Sequence, residues 1–244
     1  MIPEHITGRK GARNTASIPA DVLKLLNAGR IETVNLCEWL VVDQLALART
    51  VFPEIGCDNL LADAAWRLDS LEIATAPKML ATIGALLGES VSGKAAVKCL
   101  SEKLLTQESD IARSWGAHIV GLANGLSLAE RFQLIRPFAA DRNMSTREIA
   151  WLALRGEVIA DLKGSLELLV PFTTNTDANN RRFASELTRP RGVWCQHIKA
   201  LRADPEPGIS LLEPLRADPS KYVRDSVGNW LNDSSKDHPE TVSA

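Results

Sequence analysis

Asn179-Asn180-Arg181-Arg182-Phe183-Ala184 reads as the opening of a helix, and three other stretches echo it. They are Asp110-Ile111-Ala112-Arg113-Ser114-Trp115, Ser145-Thr146-Arg147-Glu148-Ile149-Ala150 and Tyr222-Val223-Arg224-Asp225-Ser226-Val227. Aligning Ala112, Arg147, Arg181 and Arg224 spaces the copies by 35, 34 and 43 residues. An amphipathic helix and a polar turn precede each of the last three. These are Ala129 to Phe138 before Asp141-Arg142-Asn143, Lys163 to Val170 before Asn175-Thr176-Asp177-Ala178, and Ile209 to Leu215 before Ala217-Asp218-Pro219. Helix, polar turn and a helix opening with Arg make a HEAT-like unit. One such unit cannot bury its apolar stripe alone, so neighbours stack. The pattern predicts an all-α fold, an α-solenoid of HEAT-like helical repeats wound as a right-handed superhelix with a concave surface. In this register Arg147, Arg181 and Arg224 form a ladder on one surface. They would serve either a polyanion or the acids of neighbouring turns.

Residues 1–17 are polar and basic, with Arg9, Lys10 and Arg13, and lack periodicity. They are expected to form a flexible arm, and residues 18–244 a single solenoid domain. Helices are predicted from Pro19 to Leu26, Ile31 to Ala48, Asn59 to Leu68, Ala76 to Leu87 and Gly93 to Leu105. Gly, Pro or acidic residues separate them, and no alternating β-pattern interrupts them.

The 244 residues are 45% hydrophobic, with a net charge of −2. The whole molecule is therefore not a basic nucleic-acid binder, and any such contact must be local. Four cysteines without a CxxC pair read as reduced thiols, and no apolar run approaches the ~18 residues of a membrane span. A cytoplasmic protein is expected, nucleoid-associated if it binds DNA, and a monomer, with no membrane partner. No P-loop, GxGxxG, HExxH, GxSxG or Cys/His metal pattern appears, so neither cofactor nor metal is expected.

From Asn179 to Arg202 six Lys or Arg accompany a single acid, Glu186. Arginines for phosphates and one acid for chemistry suit an enzyme acting on a polyanion. Arg182 and Glu186 also have the spacing of an ordinary i,i+4 ion pair. Glu148, Trp151 and Arg155 share one helix face, which suits a groove better than a core: a Trp face attracts cations, and a carboxylate stabilises positive charge or orients water. Trp115 reads either as core or as facing a ligand. Lys236, near the C-terminal end, could donate to a phosphate or cap the last helix.

Arg181 to Arg191, Leu211-Leu212-Glu213-Pro214-Leu215, Asp218 to Val227 and Asn229-Trp230-Leu231-Asn232-Asp233 resemble the C-terminal signature of HEAT-like DNA alkylation-repair glycosylases. The AlkC branch is nearer than the AlkD branch, and the resemblance is densest from Ser109 to Pro239. It implies excision of cationic N-alkylated purines, such as 3-methyladenine and 7-methylguanine, from double-stranded DNA in base excision repair. The duplex would lie on the concave face, without a deep base-flipping pocket. Glu148 and Glu186 match the AlkC-type catalytic glutamates, and Trp115 and Trp151 are the expected lesion-contacting rings. Arg147, Arg181, Arg182, Arg189, Arg191, Arg224 and Lys236 are the expected DNA contacts. Ile119 stands where AlkD-type proteins place an aspartate, and no room remains for the immunoglobulin-like domain of some AlkC-type members. The alternative is a non-catalytic HEAT-repeat module that binds DNA or scaffolds protein partners.

Overall fold

The computed structural model describes residues 2–192 and 195–242, apart from the side chains of 241 and 242. Val193 and Trp194, at the tip of the basic stretch, lie outside the described residues. Among the described residues the structure is α-helical, with short 3-10 turns and no β-strand. Two compact units divide the chain, Met1–Leu126 and Ser127–Ala244, where a single domain after an arm was expected.

The first unit holds α1 (Glu4–Thr7), α2 (Ala20–Asn27), α3 (Leu36–Val41), α4 (Gln44–Ile55), α5 (Leu61–Asp69), α6 (Ala76–Glu89), α7 (Lys94–Leu105) and α8 (Asp110–Leu122). Helix α8 packs against α6 and α7. The buried side chains Leu47, Phe52, Leu80, Ile83, Leu87, Val97 and Ile119 fill the space between the helices. Gly84 is required where α6 meets α8, because a Cβ there would come within 2.3 Å of the His118 Cβ.

Two expectations for this unit are corrected. The helix predicted from Ile31 to Ala48 is broken, because Asn35 caps α3 and Asp43 caps α4, its carboxylate accepting from the Leu45 and Ala46 amides. The N-terminal segment is not a free arm. Ile6 is buried, and Arg9 donates to the buried Glu38 carboxylate at 2.8 Å and to the carbonyls of Ile6 and Glu32. A guanidinium spent on four acceptors holds the chain in place.

The second unit holds α9 (Leu128–Ala139), α10 (Met144–Ala160), α11 (Leu162–Thr173), α12 (Ala178–Leu187), α13 (Lys199–Ala203), α14 (Glu206–Leu212), α15 (Lys221–Ser235) and α16 (Pro239–Val242). Helix α9 pairs with α10, α11 with α12, and α12 packs on both α10 and α15. Phe172 stacks on Phe183 at 5.3 Å and meets Phe132 edge-on, so rings from α9, α11 and α12 bind the layers together.

The repeat predicted from the arginines is real, and its physical content lies in the turn. Asp141, Asn175 and Asp218 each accept the amide of the residue two further on, an Asx turn. The arginine six residues after each one donates to two turn carbonyls. Arg147 binds those of Asp141 and Arg142, Arg181 those of Asn175 and Thr176, and Arg224 those of Asp218 and Pro219. In the first unit Arg113 makes the same clasp on Gln107 and Glu108. The equivalent residue is thus Arg113, not Ala112, and the first two spacings both become 34.

Candidate active site

Helices α10 and α12 lie side by side and bring Glu148 and Glu186 to one cation. The Arg182 guanidinium is 2.8 Å from Glu148 Oε1 and 3.2 Å from Glu186 Oε1. Its flat face lies over the Tyr222 ring of α15, with Cζ 4.4 Å from the ring centroid. Arg147 faces the same ring at 5.4 Å, and its Nη2 donates to the Tyr222 hydroxyl at 3.4 Å.

The two carboxylates differ in setting. The Glu148 side chain is 31% exposed, and its Oε2 accepts the Trp151 indole N–H at 2.9 Å. That of Glu186 is 3% exposed. It accepts from the Ser226 hydroxyl at 2.8 Å and is paired at 3.3 Å with Arg189, which also reaches Asp233 at 2.8 Å. Glu148 can meet a solvent-side partner. Glu186 is the anchor of a buried network.

Arg155 completes the frame. It is buried on α10, two turns after Glu148, and donates to the carbonyls of Leu187, Arg189 and Gln196. It ties the end of α12, and the loop beyond it, to the helix that carries Glu148. Burial draws its pKa below the ordinary arginine value. Burial also pushes the thiol of the neighbouring Cys195 up.

Several expected contacts have other employment. Trp115 is fully buried in the first unit, donates its indole N–H to Gln44 and meets Phe52 edge-on. It packs as a core residue. Trp151 is also buried, and its polar edge serves Glu148. The arginines of the ladder each clasp a turn through one nitrogen, and Arg181 is further paired with Asp218 at 2.6 Å. Arg191 joins Arg202 on Asp237, and the two cations, Arg202 foremost, hold that carboxyl well below the usual range. Lys236 is exposed and lies 3.3 Å from Asp233. Arg224 also keeps an exposed side chain. Tyr222, Ser226 and Asp233 were not anticipated. Their spacing of four and seven residues along α15 places all three on one helix face, the signal that could have found them.

No protein-family model matches the chain. The uncharacterized protein YhaZ of Bacillus subtilis (strain 168) is 36% identical over 140 residues, which are 54% of this chain and 38% of that protein. Among solved structures, an alkylpurine DNA glycosylase AlkC of Pseudomonas fluorescens, bound to DNA containing an abasic site analog, superposes with a TM-score of 0.65 at 25% identity. The match covers 82% of this chain and 54% of that one. AlkD2 from Streptococcus mutans gives a TM-score of 0.56 at 23% identity, over 75% of this chain and 84% of its own. The protein smu.31 of Streptococcus mutans UA159 gives 0.56 at 22%, over 69% and 81%. The chain thus has the HEAT-like helical-repeat fold of DNA alkylation-repair glycosylases. By TM-score and identity it is more similar to AlkC than to AlkD2, and it spans about half the length of the AlkC chain.

Proposed function

We propose that this chain is a DNA glycosylase that excises cationic N-alkylated purines, such as 3-methyladenine and 7-methylguanine, from duplex DNA. The observation that carries the reading is the approach of Glu148 and Glu186, on neighbouring helices, to one guanidinium. Alkylation places positive charge on the base and weakens its bond to the sugar. As the base leaves as a neutral molecule, the sugar becomes oxocarbenium-like, and water then adds to its anomeric carbon. A fixed carboxylate stabilises that cation and orients the water.

The geometry divides the work. Glu148, partly exposed and oriented by Trp151, is the group that would face the sugar. Glu186 holds Arg182 and Arg189 in place from below. A monomer suffices, because every group named belongs to one unit.

The test is release of 7-methylguanine and 3-methyladenine from methylated duplex DNA. Wild-type protein should release both, and Glu148→Gln should reduce release about a hundredfold or more. Absence of release by the wild type ends the enzyme reading. A second reading is favoured by the burial of Glu186 among arginines, which suits a structural role: a non-catalytic duplex binder on the same scaffold. It predicts salt-sensitive binding without release.

A further inference from the structure

The two carboxylates of the site converge on one nitrogen. The closest approach of Arg182 to Glu148 Oε1 and to Glu186 Oε1 is made in both cases by Nη2, at 2.8 and 3.2 Å. Two contacts to a single atom fix where that atom lies and leave the guanidinium plane free to turn about it. The Tyr222 ring of α15 sets the plane, because the guanidinium lies over it with Cζ 4.4 Å from the centroid. We propose that Tyr222 is a positioning residue of this site: its π-face holds Arg182 in the orientation that keeps the Glu148 carboxylate fixed for the sugar cation. The proposal rests on the glycosylase reading and adds α15 to it, as the helix against which the acids of α10 and α12 are aligned.

The ring is itself held. Arg147 lies 5.4 Å from its centroid and donates from Nη2 to the Tyr222 hydroxyl at 3.4 Å. The Arg147 Nη1 is spent on the carbonyls of Asp141 and Arg142. A backbone turn therefore fixes Arg147, Arg147 steadies Tyr222, Tyr222 orients Arg182, and Arg182 holds Glu148. One turn further along α15, Ser226 donates to Glu186 at 2.8 Å. The same helix thus serves both acids, Glu186 directly and Glu148 through Arg182. Glu148 needs that support, because its side chain is partly exposed and its other oxygen is held only by the Trp151 indole N–H. Two carboxylates that meet at one point repel each other unless a cation stays between them. A long arginine side chain also gains rotamer freedom by leaving. The stack on Tyr222 opposes both tendencies.

The experiment measures affinity for two duplexes that differ at one sugar. One carries a pyrrolidine abasic analogue, protonated at its ring nitrogen, and the other a neutral tetrahydrofuran analogue. A carboxylate fixed against the sugar favours the first, and wild-type protein should prefer it about tenfold. Tyr222→Leu and Tyr222→Met both remove the π-face and should bring the ratio close to one, and the use of two replacements guards against a folding failure in either. Affinity for the neutral duplex should stay unchanged in both, which a general loss of structure would not permit. Tyr222→Phe keeps the π-face and should restore most of the preference. Arg182→Ala should lose the preference to the same extent as Tyr222→Leu, as expected if the ring acts through the guanidinium. A preference that survives Tyr222→Leu and Tyr222→Met, that Tyr222→Phe does not restore, or that persists in Arg182→Ala overturns the proposal, and so does a wild-type ratio of one. Because no bond is cleaved in this measurement, its failure is separate from failure of the base-release assay.

Discussion

Trp151 donates its indole N–H to Glu148 across one turn of α10, at 2.9 Å. A tryptophan that had the spacing of a lesion-facing ring is therefore the group that aims the accessible carboxylate. Trp151→Phe keeps the packing of a flat ring and removes the donor. A hydrogen bond to a charged group is worth about 1.5–3 kcal/mol, so kcat for base release should fall about ten- to a hundredfold with little change in KM. An unchanged kcat in single-turnover measurements would return Trp151 to the core and nothing more.

The two glutamates should separate in stability. Glu186 is enclosed and holds two arginines and a hydroxyl. Glu186→Gln is expected to lower unfolding free energy by about 3 kcal/mol, because it takes from a buried network one of the two carboxylates that balance each of Arg182 and Arg189. Glu148→Gln, at a partly exposed position, should cost less than about 1 kcal/mol. Urea denaturation of both variants decides it, and equal losses would contradict the division of roles drawn from their burial.

Asp218 supplies a pH dependence whose sign is fixed. Arg181, foremost, and the Ser220 amide hold its carboxyl below the ordinary value of 3.8. The stability it contributes is complete above that value and is lost as pH falls below it toward the native pKa, because the unfolded chain takes up the proton first. Asp218→Asn should therefore flatten the decline of the melting temperature on acidification below about pH 4. A decline as steep as that of the wild type would assign the acid sensitivity elsewhere.

Trp115 offers a control outside the second unit. Trp115→Ala empties a fully buried site and should cost about 3–5 kcal/mol. The milder Trp115→Phe should leave the base-release rate of the folded protein unchanged. A selective loss of release with full stability would give this ring a role that its burial denies.

Much of the fold was legible because two independent signals agreed. The arginines marked each second helix, and Asx turns preceded them. A third signal went unread: Pro137, Pro171 and Pro214 each stand ten residues before Arg147, Arg181 and Arg224, the first two in the last turns of α9 and α11 and the third in the 3-10 turn after α14. The break at Asp43 was hidden because Leu and Val run through it, and apolar content masks a cap that only hydrogen bonding reveals. Residue identity and spacing singled out Glu148, Glu186 and Arg182 as candidates, and the structure brings the three side chains together. Exposure could not be read the same way. Whether an arginine reaches solvent depends on carbonyls such as those of Asn175 and Thr176, and a backbone oxygen has no letter in the sequence.

The clasp of Arg113, Arg147 and Arg181 on the carbonyls five and six residues upstream is complete within its own segment. A segment that closes its own bend can be copied, and the copy arrives already folded at its corner. Lengthening such a protein by whole 34-residue steps then disturbs only the faces between copies, which makes tandem duplication an easy evolutionary route to an array of this kind.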